Sequence, residues 1–346
     1  MSADARQDFA LAFLSILFEG APFILLGTLI SGFLDIYLPP GAMDRLLPKN
    51  RTLAVVVAGL LGAVFPVCEC AVVPVIRRLV GKGLPVSCAL TYMLAAPIVN
   101  PITALSTWKA FQGQLPAVMT GSRLLLGFLI AVSVGLITAR LSKKTILKPS
   151  LAASLDAAES PPPSSAKCGD HDHTDDCCGH DHGHEHQHDC GCHDHGCGCH
   201  SHEGGDGRLT AAFRSALKDF VDVGVYFSIG VAITALFNTG IAPGAKWLDS
   251  VAANPTAAPA ALMALAFILS LCSTSDAFIA ATLAKFSWAA KLAFLTFGPM
   301  MDVKLIFLYQ SVLNKRFIVT LGVGLFLAIG GLSLLWQYLV VSHFLP

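Results

Sequence analysis

Charge is what this sequence has least of. Only 13% of its 346 residues are Asp, Glu, Lys or Arg, about half the ~25% of an ordinary soluble domain. Most of the chain is therefore not built to face water. The 23 basic and 23 acidic residues cancel, so no overall charge points to a nucleic-acid partner. Histidine is nearly missing outside one segment, since eleven of the twelve lie between His171 and His202. Outside that segment cysteine is limited to Cys68, Cys70, Cys88 and Cys272, each in an apolar stretch, while seven more fall between Cys168 and Cys199. No nucleotide-binding loop is present, so coupling to the proton gradient is the natural expectation. No cleavable signal peptide is evident, because the first apolar run, from Phe9, is about thirty residues long and exceeds an h-region. The long apolar runs exclude collagen, a coiled coil and a small disulfide scaffold.

What is there is 54% hydrophobic, with a mean hydropathy of +0.64. A membrane helix needs roughly 20 apolar residues to cross a 30 Å core. Residues 9–38, 116–140, 216–240 and 316–341 meet that length. Two further regions, 53–111 and 257–313, are apolar but broken. The first carries Pro66, Pro74, Pro85, Pro97 and Pro101, and the second carries Cys272-Ser-Thr-Ser-Asp276 and Gly298-Pro299. Proline removes a backbone donor, and in lipid such a break survives only where it lines a cavity or is buried in protein. The expected fold is an all-α integral membrane protein.

The apolar halves are related. Cys70 to Pro97 spans the same distance as Cys272 to Pro299, and Asn100 and Asp302 each follow three residues after those prolines. Glu19 and Gly27 match Asp222 and Gly230 in spacing. Repeats with broken segments in matching places are the signature of secondary transporters, and the breaks mark the substrate site. The division is a first membrane repeat over 1–140, a linker over 141–213 and a second repeat over 214–346. If residues 53–82 form a re-entrant hairpin turning at Cys68-Glu69-Cys70, then Arg45, Lys49, Arg51, Arg77, Arg78 and Lys82 share a face with Arg140, Lys143, Lys144, Lys148, Arg214, Lys218, Lys315 and Arg316. The positive-inside rule then makes that face cytoplasmic. Each half has an odd number of spans in that arrangement, so the halves are inverted. Eight simple spans, four in each half, are the alternative.

Two thiols one residue apart on non-helical backbone can converge on one soft ion, as Cys68 and Cys70 would. Glu69 lies in lipid-depth sequence, where a carboxylate is costly and usually functional. It reads as a ligand or proton carrier, or as the cap of a half-helix. In the matching break, Cys272, Ser273 and Asp276 could bind a cation or satisfy freed backbone groups. Asn100 and Asp302 follow the second breaks, where a polar side chain faces a cavity or caps a helix. Glu19 and Asp222, at equivalent positions in two spans, could relay protons or serve in structural hydrogen bonds. Cys88 reads as core.

The linker is the other candidate metal site. Cys177-Cys178, Cys190-Gly-Cys192-His193 and Cys197-Gly-Cys199-His200 offer close chelating pairs, with His180, His182 and His184 beside them. Imidazole and thiolate together suit Zn(II) or Cu(I). The irregular spacing suits several exchangeable sites rather than one finger, on a segment disordered without metal. Metal here would be buffered cargo, and no essential cofactor is expected.

Phe65-Pro-Val-Cys68-Glu-Cys70-Ala-Val-Val-Pro74, Met93-Leu-Ala-Ala-Pro97-Ile-Val-Asn100-Pro101, Leu271-Cys272-Ser-Thr-Ser-Asp276 and Gly298-Pro299-Met-Met-Asp302 resemble the predicted permeases of the YraQ type. That bacterial family includes organoarsenical efflux permeases and a branch described as copper/zinc efflux transporters. The resemblance implies an inner-membrane permease, not an enzyme, with Cys68, Cys70 and Cys272 meeting a soft substrate. Many members carry Cys-Ser-Cys-Gly where this chain has Cys68-Glu69-Cys70-Ala71, and the added acid favours a cationic metal. The leading expectation is proton-coupled export of Zn(II) or Cu(I). The alternatives are export of trivalent organoarsenicals and, remotely, a membrane thiol–disulfide oxidoreductase. The expected partners are the bilayer and a metal or metalloid cargo, with a homodimer left open and nucleic acid excluded.

Overall fold

A computed structural model of the chain describes residues 3–37, 39, 47–64, 68–149, 205–240, 254 and 256–341. Among these the protein is built from helices, with one isolated bridge between Leu147 and Leu313 and no strand. The fold is that of an all-α integral membrane protein. The first half runs α1 (Ala3–Tyr37), α2 (Arg51–Val64), α3 (Glu69–Gly81), α4 (Val86–Ala95), α5 (Pro101–Ala110) and α6 (Pro116–Thr138). A single turn, α7 (Lys143–Ile146), follows. The second half repeats the order with α8 (Gly205–Gly240), α9 (Ala257–Leu269), α10 (Asp276–Thr282), α11 (Trp288–Met300), α12 (Val303–Tyr309) and α13 (Lys315–Trp336). The helix opening the second half thus starts at Gly205, ahead of the boundary expected from composition.

Among the described residues, five stretches are long and apolar enough to cross a membrane: Arg6–Leu34, Pro116–Thr138, Leu209–Leu236, Lys315–Val340 and, bent at Met301-Asp302, Trp288–Tyr309. The 14 residues of α2 and 13 of α3 reach only about 20 Å each at 1.5 Å per residue, short of the 30 Å hydrocarbon core. Such pieces must turn inside the bilayer or pair end to end.

Close approaches decide between these. Gly59 packs on Thr91 and Gly62 on Ala96 and Val99, so α2 and α4 run in the same direction. Gly27 packs on Ala71, and the Ser31 hydroxyl donates to the Pro74 carbonyl at 3.1 Å, so α3 runs with α1. A chain that goes down α2 and down α4 must come back up α3, which makes α2–α3 a re-entrant hairpin and not one span. The second half does the same: Gly298 packs on Ala266, and the Val303 N–H donates to the Ser270 hydroxyl, so α9 runs with α11 and α10 turns back. Four simple spans per half do not fit this packing.

The halves are inverted. Gly20 meets Phe227 and Gly32 meets Ala212 and Ala216, so the equivalent helices α1 and α8 lie antiparallel. Phe33 and Phe213 meet edge to face at 6.1 Å near one end of that seam. The hairpin returns are shaped locally. After α3, Gly83 at φ +99° lets the Leu84 N–H reach the Leu79 carbonyl and its own N–H reach Val80, a helix stop that only glycine adopts without strain. Asn314 and Ser287 cap α13 and α11 with their side-chain oxygens.

Candidate functional site

The breaks all fall in the middle of the bundle. Four half-helices, α3, α5, α10 and α12, begin there, and their first N–H groups have no intrahelical partners. Each start is polar for that reason. Asn100 accepts from the Ile102 N–H at 2.9 Å and Asp302 accepts from the Leu305 N–H at 2.7 Å, so the two matched residues are matched caps. Glu69 and Asp276 sit in the first turns of α3 and α10, where the positive end of the helix dipole favours a carboxylate.

These acids meet two cations. The Lys304 ammonium donates to Glu69 Oε1 at 3.3 Å and to the Ser270 carbonyl at 2.9 Å, and lies 3.6 Å from Asp302 Oδ2. Ser273 Oγ donates to the other Glu69 oxygen at 3.3 Å. The Arg123 guanidinium donates to Asp276 at 2.8 Å, to the Ser273 carbonyl at 3.0 Å and to Thr107 Oγ1 at 2.7 Å. Glu69, Asp276, Asp302, Lys304 and Arg123 are all buried. Both ion pairs join one half to the other, so the network holds the two hairpin tips against each other.

The thiols lie beside this network. Cys68, Glu69, Cys70, Cys272 and Lys304 line one small cavity with Glu19, Ile16, Gly20, Phe23 and Phe227. It holds about 10 Å³, close to the room of a single water. Cys272 accepts from Thr274 Oγ1 at 3.6 Å. All three cysteines are free. Glu19 stands at the exposed rim, where it accepts from Ser275 Oγ at 3.0 Å. Of the residues singled out in sequence, the fold brings Cys68, Glu69, Cys70, Cys272, Ser273, Asp276, Asp302 and Glu19 into one neighbourhood. Asn100 caps α5, and Cys88 is buried in the wall of α4. Asp222 lies elsewhere, half exposed and 3.8 Å from Arg77 at the basic end of the bundle. The linker ligands Cys177, Cys178, His180, His182, His184, Cys190, Cys192, His193, Cys197, Cys199 and His200 lie outside the described residues.

Among the described residues, no three His, Cys, Asp or Glu side chains are grouped to hold a metal ion in this conformation. Glu69 is already spoken for by an ammonium and a hydroxyl. Lys304 and Arg123 did not emerge from the sequence as site residues. The signal was a lone cation inside an apolar stretch, which at bilayer depth faces a partner or a cavity. A fourth buried acid, Asp219, is held at the basic end by Arg78 at 2.8 Å and by Ser31.

Residues 7–338 match the family ArsP_1, described as a predicted permease. The chain is 33% identical over 307 residues to the UPF0718 protein YcgR of Bacillus subtilis, covering 88% of this chain and 89% of that one. It is 32% identical over 307 residues to a Streptococcus mutans protein provisionally named as a subunit of a two-component membrane permease complex, covering 88% and 87%. No solved structure matches.

Proposed function

The chain belongs to the ArsP_1 family of predicted permeases, and from that premise we propose that this membrane permease exports a soft metal cation of the Zn(II)/Cu(I) class from the cytoplasm. The observation that carries the reading is the meeting of three free thiols and a buried carboxylate around one mid-bundle cavity. Sulfur ligands select soft ions, and a carboxylate adds the charge that a cation needs away from water. Cys68 and Cys70 receive the ion with Glu69, and Cys272 reaches it from the other half. Ser273 and Asp276 hold the hairpin tips that shape the site, and Asn100 and Asp302 cap the half-helices that complete it. Glu19, at the rim, carries the coupled proton.

The basic end of the bundle faces the cytoplasm of the bacterial inner membrane. Lys148 bonds through its N–H to the Val312 carbonyl, which sets the start of the linker beside the α12–α13 loop and near Lys315 and Arg316 in the first turn of α13. The His/Cys run then gathers metal on the side from which it is exported. The likeness to a subunit of a two-component complex favours a working unit larger than one chain, either a homodimer or a pair with a second membrane protein. Replacing Cys68 and Cys70 together by serine abolishes resistance to zinc or copper salts while the protein still reaches the membrane. Unchanged resistance in that strain rules the site out.

The three clustered thiols also favour a second reading, export of a trivalent organoarsenical. Growth on methylarsenite against growth on zinc and copper salts separates the two cargoes.

A further inference from the structure

The two halves carry the same break but not the same charges. At the offset of the repeat, Asp302 corresponds to Asn100 and Lys304 to Ile102, while Glu69 corresponds to Leu271. Asn100 caps its half-helix as an uncharged amide, and Ile102 is 53% exposed on the outside of the bundle. Building the break therefore requires neither the charge of Asp302 nor a lysine two residues on. Yet the residues in which the halves differ meet in space. Lys304 Nζ sits between Glu69 Oε1, Asp302 Oδ2 and the Ser270 carbonyl, against the cavity lined by Cys68, Cys70 and Cys272. Asp302 Oδ2 has no hydrogen-bond partner and is fully buried. Its Oδ1 serves the cap, so this second oxygen is the one aimed at the ammonium.

We propose that Lys304 is a resident counter-cation, an ammonium that fills the oxygen cage in the empty carrier and is displaced when cargo cation enters. The identity of the displacing ion rests on the cation-export reading above, but the cage itself does not. Two carboxylates cannot stay buried and ionised without a positive charge beside them. Lys304 supplies that charge on a flexible four-carbon stem, so the empty carrier needs no bound ion to remain closed. A cation arriving at the thiols takes Glu69, and Lys304 leaves the cage toward the exposed rim of the same cavity, where Glu19 stands. Cargo entry and release of the tie between α3 and α12 are then one event, and the same exchange lets the unloaded carrier reset.

The test measures melting of the full chain in lipid nanodiscs, in choline chloride and with added Mg²⁺ or Zn²⁺. Wild type melts at the same temperature in choline and in Mg²⁺. Lys304→Met melts lower in choline and recovers by several degrees as a divalent cation takes the vacant place, and Glu69→Gln/Lys304→Met loses that response. The double variant keeps the linker, so its difference from the single variant isolates the cage from zinc bound elsewhere. Cation-insensitive melting of Lys304→Met overturns the proposal and leaves Lys304 a strut. Where Lys304→Met yields no folded chain in any salt, amine labelling of wild-type Lys304 decides: Zn²⁺ raises its labelling severalfold if cargo expels it, and an unchanged or lowered yield overturns the proposal. A cation-dependent Lys304→Met in a protein that moves no metal sinks the cargo reading and keeps the cage.

Discussion

Arg123 offers the sharpest test of the network. Its guanidinium is 1% exposed and holds Asp276, Thr107 and the Ser273 carbonyl together. Arg123→Met keeps much of the side-chain volume and removes every one of those bonds. Asp276 is then a buried carboxylate with no cation, and breaking a buried pair from one side costs about 3–5 kcal/mol. Removing both partners is a different perturbation, since an apolar pair of similar volume in place of a buried ion pair is often neutral. Arg123→Met/Asp276→Leu should therefore recover most of the loss, with a coupling of at least about 2 kcal/mol in the cycle. The assay is denaturant unfolding of the four proteins in mixed micelles, read by tryptophan fluorescence. A single variant within about 1 kcal/mol of wild type, against the 3–5 expected of a severed buried pair, would refute the pairing as drawn. So would a double variant worse than both singles.

The glycines give a second test. A Cβ on Gly27 would stand 2.6 Å from the Ala71 carbonyl oxygen, and one on Gly230 would stand 2.8 Å from Lys304 Cα. Gly27→Val and Gly230→Val should each lower the yield of folded protein, whereas Gly121→Ala, facing open space, should not, as size-exclusion profiles will show. A bifunctional maleimide should cross-link Phe33→Cys/Phe213→Cys, because those rings touch, while Phe33→Cys with Thr234→Cys should fail if α1 and α8 are antiparallel. Single cysteines at Lys49 and at Lys82 should be labelled by an impermeant maleimide from the same side. Labelling from opposite sides would restore four simple spans per half.

Much of this architecture could be read in the chain before its structure. Paired prolines and matched polar residues at one repeat offset marked the breaks, because lipid tolerates irregular backbone only where it is buried or lines a cavity. The re-entrant turn at Cys68-Glu69-Cys70 followed from gathering the basic loops on one face. The cations of the site were harder. Nothing local ties Arg123 to Asp276, 153 positions apart, or Lys304 to Glu69, 235 apart. Only the crossing of the halves brings them together. The repeat also pointed to Asp222 as the partner of Glu19, but helical phase decides which acid turns inward. Asp219, three residues earlier, faces Arg78 in the interior, and Asp222 faces out toward Arg77.

On the proposed function, cargo passes the thiols where the inverted halves meet. Zinc flux into proteoliposomes measures it most directly, comparing wild type with Cys68→Ser/Cys70→Ser at matched melting temperature and protein load. Passage by the thiols predicts flux above the protein-free background for wild type and none above it for the double variant. Flux at the wild-type rate through the serine variant would contradict it.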